Sequence, residues 1–263
     1  MVSYLVGVVI AFLVLLAVFG TLDLFRPAER RLGVFRPGFR TDLAYWFFTS
    51  IVGEAIRRAA LVVIVALITY GVWQRIDHDL IMQGFGPLSR LPYAIQVVLM
   101  LLIGDFLGYW MHRFFHRGNA WRFHAVHHSS EALDWLSSVR VHPLNEAAMT
   151  IATFTPLLLL GFAPAAAIGV APVVTLFAIL VHANVDWDWG PFRKVLVSPR
   201  FHRWHHSDEA DAIGKNFAGL FPVWDILFGT YFMPAGRAPR SFGAGTPVPE
   251  GLWAQMKFPL SRS

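Results

Sequence analysis

Four stretches of the chain are almost unbroken in apolar residues: 4–20 (YLVGVVIAFLVLLAVFG), 59–73 (AALVVIVALITYGVW), 91–111 (LPYAIQVVLMLLIGDFLGYWM) and 147–183. About 20 apolar residues cross a bilayer as a helix, so the pattern predicts an all-α, multi-span integral membrane protein. The fourth run is too long for one crossing. GFAP at 161–164 places Gly161 and Pro164 in its middle, where a helix must stop or kink, and a tight hairpin of helices over roughly 145–160 and 165–183 follows. The segment 43–56 (LAYWFFTSIVGEAI) leads into Arg57 and Arg58. It either lies in the membrane interface or forms the first half of a long tilted helix continuing through 59–73. The count is four to five spans in one domain. The first run lacks a basic start and a small-residue exit, so it reads as a retained span rather than a signal peptide.

Polar positions then set the orientation. The loop between the first two spans carries Arg26, Arg30, Arg31, Arg36 and Arg40, whereas the loop 74–90 carries only Arg75 and Arg90. Cytoplasmic loops are the arginine-rich ones. This places the first loop, the end of the third span and the stretch holding Arg113, Arg117 and Arg122 on the cytoplasmic face, with the C-terminus beside them. Apolar residues make up 56% of the chain and charged ones 15%, against about 25% charged in soluble domains. The net charge of +5 therefore reports topology and contact with anionic lipid rather than nucleic acid. Brevity and an Ala/Gly/Arg-leaning composition suggest a bacterial inner membrane.

Cysteine is absent, which removes disulfides, thiolate haem ligation, cysteine-held iron–sulfur clusters and Cys-type zinc sites. No phosphate-binding glycine loop, dinucleotide fingerprint, nucleophile elbow or H-E-x-x-H is found. Chemistry is left to histidine. Of 11 histidines, only His78 lies outside residues 112–206, in a polar loop where a solvated ring is expected. His112 and His116 are four apart, so on a helix their rings share one face. His124, His127 and His128 form H-x-x-H-H, and His202, His205 and His206 repeat it. A belt of interfacial basic residues would favour Arg, which grips phosphate with two hydrogen bonds. A bis-histidine haem needs isolated histidines on facing spans. A metal transporter or sensor needs ionisable groups through the membrane midplane of several spans, and here only Asp105 interrupts them. The hairpin crosses twice, so the second H-x-x-H-H returns to the face of the first and both close on one site. Eight nitrogens exceed the six positions of an octahedral ion, so two metals share them. Imidazole suits iron, copper, nickel and zinc alike.

The stretches DFLGYWMHRFFH, WRFHAVHHSSEALDWLSSVRVHPLNE, VHANVDW, VLVSPRFHRWHHS and NFAGLFPVWDILFGTYF resemble the fatty acid hydroxylase/sterol desaturase superfamily of membrane di-iron enzymes, over most of residues 105–232. One domain over 1–263 is expected, with a motif core at about 94–232, and the Pro-, Gly- and Ser-rich stretch 233–263 reads as a flexible, partly ordered tail draped over a cytoplasmic metal lobe. The resemblance implies two iron ions, replaceable by zinc in recombinant protein, and dioxygen as co-substrate for attack on an unactivated C–H bond of a membrane lipid. Carried over residue by residue, the ligands would be His112, His116, His124, His127, His128, His202, His205 and His206, with His182 from VHANVDW. Some relatives hold a further histidine at the position of Asp186, so His142 or Asp186 itself is the candidate tenth ligand. No side chain beyond the ligands is expected to be catalytic. Asn184, Asp186 and Asp188 are candidates for orienting ring N–H groups, and Asp105, seven residues before His112, either supports a histidine from beneath or caps a neighbouring helix. Hydroxylation is expected over desaturation. With no fused carrier in the sequence, electrons are expected from a separate ferredoxin, rubredoxin or b-type cytochrome with its reductase. Arg193, Lys194, Arg200, Arg203 and Lys215 either steer an acidic carrier or touch lipid phosphate.

Overall fold

The computed structural model describes residues 2–25, 27–30, 32–68, 70 and 83–261. His78, most of the loop 74–90 and Ser263 fall outside them. Among the described residues the chain is helical, and its only β pairings are two isolated bridges, Pro27 to Val185 and Ser207 to Phe242. The long helices are α1 (Val2–Phe25), α2 (Phe39–Phe48), α3 (Glu54–Ile68), α5 (Tyr93–Phe115), α7 (Pro143–Leu159) and α8 (Pro164–His182); short ones are α4 (Gly86–Ser89), α6 (Trp121–His128), α9 (Pro199–His205), α10 (Val223–Leu227) and α11 (Leu252–Lys257).

Two of these, α1 and α5, are long and apolar enough to cross a membrane. The ambiguous segment resolves as the first half of a longer helix: α2 runs into α3 through a π-helical turn, Thr49–Gly53. The hairpin forms where Gly161 and Pro164 interrupt the apolar run. Gly161 adopts φ +87, a left-handed conformation open to glycine, and Pro164 starts α8 at a position whose N–H would be unpaired anyway.

A clasp of backbone and amide bonds closes the end of the bundle remote from the histidines. Phe85 N donates to Gly161 O (2.9 Å), in an approach so close that a Cβ on Gly161 would strike the Phe85 carbonyl. Buried Gln96, one turn into α5, donates to Ser89 O and Leu91 O (3.1 and 2.9 Å) and accepts from Ala163 N at the start of α8 (3.5 Å).

At the other end, α6, α9, α10, α11 and their connections form a lobe. An aromatic cluster ties α1 to it: Phe19 stacks on Trp135 at 5.7 Å, Trp46 meets Trp135 edge-on at 6.0 Å, and the Trp46 indole donates to Val8 O (3.2 Å). A buried charge network ties in the first loop. Arg36 pairs with Asp42 (2.8 Å) and Asp134, and Arg140 Nε reaches Asp42 at 2.6 Å. The tail from 233 wraps the lobe through Arg237 on Glu209 and Asp211, Gly243 N on His206 O, and buried Gln255 on Ser129.

Candidate metal centre

Nine histidines converge where four helix ends meet. α5 delivers His112 in its last turn and His116 at its C-terminal cap; α6 delivers His124, His127 and His128; α8 ends on His182; α9 carries His202 and His205, with His206 as its cap. The short helix α9 exists because Ser198 caps it, its Oγ accepting from Phe201 N (3.1 Å), and Pro199 presets its first turn.

The rings sort into two groups. His112, His116, His124, His128 and His205 place one nitrogen each within 4.8 Å of one another, and so do His127, His182, His202 and His206. Within them Nε2 faces Nε2: His112 to His124 at 2.9 Å, His182 to His127 at 3.2 Å, His202 to His182 at 3.0 Å and His206 to His202 at 3.1 Å. Two ligand nitrogens at right angles on an ion with bonds of about 2.1 Å would stand roughly 3.0 Å apart. The spacing fits coordination, and the chemistry agrees with it. Among the described residues the buried Nε2 atoms of His116, His128 and His205 have no hydrogen-bond partner, an arrangement that is costly unless a cation takes the lone pairs.

The opposite edges of five rings are held. Nδ1–H of His112 donates to Phe217 O (2.7 Å), of His127 to Arg140 O (3.2 Å), of His182 to Ala178 O (2.6 Å) and of His205 to Lys215 O (2.9 Å). His124 Nδ1–H donates to the Asn145 carbonyl oxygen at 3.1 Å. Each such bond fixes the tautomer and leaves the Nε2 lone pair pointing inward. Burial, reinforced by neighbouring rings, pushes His124, His127, His128, His202, His205 and His206 well below the ordinary imidazole value of 6.5. Neutral rings are the ligating form.

Several other candidates stand elsewhere. His142 lies outside both groups: as N-cap of α7 its Nδ1 accepts from Leu144 N, and its Nε2–H donates to Met256 O, each at 3.2 Å. Asp186 and Asp188 both pair with Arg200, at 2.7 and 3.2 Å, rather than with a ring. Asn184 bonds both backbone groups of Glu29 (2.9 and 3.1 Å) and pins the end of α8 to the first loop. Asp105 accepts three backbone N–H groups, from Gly219, Leu220 and Phe221, at 3.0, 2.8 and 2.8 Å. It therefore caps a loop, and that loop follows directly on Phe217, whose carbonyl holds His112. Of the flanking cations, Arg193 and Lys194 are exposed, while Arg203 is buried with Nη1 on Leu133 O (2.9 Å).

Two supporting residues escaped the sequence reading. Asn145 sits three residues after His142, in HPLNE, and its polarity on a helix face otherwise apolar was the available signal. Asp225 lies fully buried in FPVWDILF and accepts from Phe217 N (2.7 Å), Ala218 N (2.8 Å) and Thr230 Oγ1 (2.7 Å). Thr230 in turn meets the Tyr109 hydroxyl at 2.9 Å. A carboxylate within an aromatic run is a recognisable sign of backbone capping.

Comparison with known proteins bears on the same region. The sequence model of the fatty acid hydroxylase family matches residues 97–230, which span every histidine of both groups. The chain is 35% identical over 175 residues to an ornithine lipid hydroxylase of Rhizobium tropici, covering 66% of this chain and 53% of the relative. It is 35% identical over 129 residues to the alkylglycerol monooxygenase of Homo sapiens (48% and 28%) and 30% identical over 151 residues to a methylsterol monooxygenase of Aspergillus fumigatus (55% and 49%). The chain thus spans about half the length of these relatives or less. No solved structure matches it.

Proposed function

The chain belongs to the fatty acid hydroxylase family, and on that premise we propose that it is a membrane oxygenase that hydroxylates an unactivated C–H bond of a lipid at a pair of iron ions. The observation that carries this reading is the division of nine buried imidazoles into groups of five and four, each converging within 4.8 Å. His112, His116, His124, His128 and His205 would hold one ion, and His127, His182, His202 and His206 the other. When bound, the iron pair supplies the activation of dioxygen and the oxidation of a C–H bond, which no amino-acid side chain provides.

The protein's part is to present nine neutral Nε2 donors. The carbonyls of Arg140, Ala178, Lys215 and Phe217 and the amide of Asn145 take five of the Nδ1 protons. The lobe excludes water from the rings. The stoichiometry supports a separate electron carrier: one oxygen atom enters the C–H bond and the other leaves as water, which consumes two external electrons and two protons. A ferredoxin, rubredoxin or b-type cytochrome fits that role. The relatives' names support a lipid with an amino-acid, ether or sterol skeleton as the substrate class.

α1, the continuous α2–α3 helix, α5 and the α7–α8 hairpin cross the membrane, and the histidine lobe and C-terminus face the cytoplasm, as in a bacterial inner-membrane enzyme. A reporter fused after Ser263 is expected to read as cytoplasmic. The activity is tested with metal-loaded protein, a reduced carrier, labelled dioxygen and membrane lipid. Label in a hydroxylated lipid is expected; a new double bond with label only in water would overturn the hydroxylation reading, and a single ion per fully loaded chain would overturn the paired site.

A further inference from the structure

The lobe presents an apolar surface that its own core does not use. In α10, Ile226 and Leu227 are 43% and 64% exposed, and Phe192 and Val195 in a neighbouring loop are 64% and 60% exposed. The two segments are adjacent, because Val197 N donates to Leu220 O at 2.8 Å. Large apolar side chains are commonly exposed one at a time; a contiguous set marks a contact surface.

The position of α10 beside α5 says what the surface touches. Trp224 packs on Phe106 at 5.0 Å and Phe228 on Trp110 at 4.8 Å. Phe106 lies thirteen residues into α5, roughly 20 Å along a helix rising 1.5 Å per residue. A hydrocarbon core of about 30 Å that begins near Tyr93 would extend about 10 Å beyond Phe106. On that placement α10 would sit at a depth where backbone groups find no water, and non-helical backbone is tolerated there only when its polar groups are satisfied by protein. The loop leading into α10 meets that condition in a specific way: the N–H groups of Gly219, Leu220 and Phe221 all end on the carboxylate of Asp105. This also accounts for an acidic residue in the middle of α5. In the neighbouring loop, exposed Arg193 and Lys194 lie between Phe192 and Val195, an arrangement suited to anionic headgroups.

We propose that the lobe is partly immersed in the bilayer: α10 lies among the acyl chains of the near leaflet, and residues 192–195 lie at its headgroup boundary. The occupant of the apolar surface is lipid. The inference rests on α5 crossing the membrane and is independent of the reaction catalysed.

The chain contains no cysteine, so single cysteines can be introduced into the unaltered protein and spin-labelled. The variants are Leu227→Cys and Val195→Cys on the proposed surface, Val98→Cys on the exposed face of α5, and Ala235→Cys on the tail. Each is reconstituted in phosphatidylcholine/phosphatidylglycerol vesicles, and collision with oxygen, which partitions into hydrocarbon, is compared with collision with a water-soluble nickel chelate. A severalfold higher oxygen-to-nickel ratio at Leu227 than at Ala235 is expected, with Val195 between them. A Leu227 ratio equal to that of Ala235, with Val98 still reading as lipid, would overturn the immersion. A water-like Val98 would instead overturn the assignment of α5 as a span. All four positions are exposed, so labelling does not disturb packing.

Discussion

Removing the Asp105 carboxylate should separate the two halves of the metal centre. Its oxygens receive three backbone N–H groups in a buried place. In Asp105→Ala, leaving all three unpaired would cost about 3–9 kcal/mol at about 1–3 each, comparable to the whole stability of a domain. The loop 219–221 is therefore expected to leave its place against α5 rather than stay there unpaired. Phe217 moves with it, and the His112 ring loses the acceptor that fixes its tautomer. The five-histidine group contains His112; the four-histidine group does not. Metal analysis of Asp105→Ala should accordingly fall from about two ions per chain toward one, the retained ion being the one His127, His182, His202 and His206 hold. Asp105→Asn provides the graded case. It keeps Oδ1 for Gly219 and Leu220 and turns an amide N–H₂ against Phe221 N, losing one bond. That is about 2 kcal/mol, or roughly 4–8 °C in Tm for a chain of this size, with both ions kept. The assay is a thermal melt in detergent beside metal quantitation on the same sample. Wild-type Tm and two ions in Asp105→Ala would refute the capping argument; equal loss of both ions would refute the division into two groups.

His142→Ala removes the α7 cap and should lower stability by about 1 kcal/mol while leaving metal content unchanged; loss of an ion would make His142 a ligand after all. Asn145→Ala frees the His124 tautomer and should weaken metal retention about 10–100-fold in chelator competition, with fold intact by circular dichroism. Acid should act through the buried rings. His124, His127, His128, His202, His205 and His206 are held below 6.5 in the folded protein and titrate near 6.5 unfolded. The folded metal-free state thus binds fewer protons, and its stability is full above about pH 6.5 and falls as pH drops below it. A stability profile flat from pH 7 to 5 would contradict this.

The helices that carry the site were readable because periodicity and punctuation agreed: Gly161 and Pro164 marked the hairpin turn, and the H-x-x-H-H spacing put each set of rings on one helical face. The pairing of rings across helices was not readable, since it depends on how α5, α6, α8 and α9 meet in space. Topology said that the clusters share a site, but not that His128 joins His205 while its neighbour His127 joins His206. Adjacent residues on a helix point about 100° apart, and this divides the doublets between the two groups. His142 stands outside both groups for the complementary reason. At a helix start an imidazole nitrogen can accept a backbone N–H as a Ser or Asp oxygen does, and the sequence does not say which use it serves. Asp186 and Asp188 read as histidine partners by proximity in sequence, yet Arg200, fourteen and twelve residues on, is nearer in space.

The clasp at Gly161, Phe85 and Gln96 gives the metal centre a boundary condition at its most distant point. A helix sliding by one residue advances 1.5 Å and rotates 100°, enough to swing His182 or His112 out of its group. Rings at one end of a long rod set its rotation only as firmly as the rod is held elsewhere. Gln96 bonds the start of α5 to the start of α8, so the phase of both helices is fixed before either reaches a histidine. The turn on the far side of the bundle then acts as the zero mark from which the angular positions of the rings are counted, and a side chain added at Gly161 would be felt as a phase error at the two histidine groups.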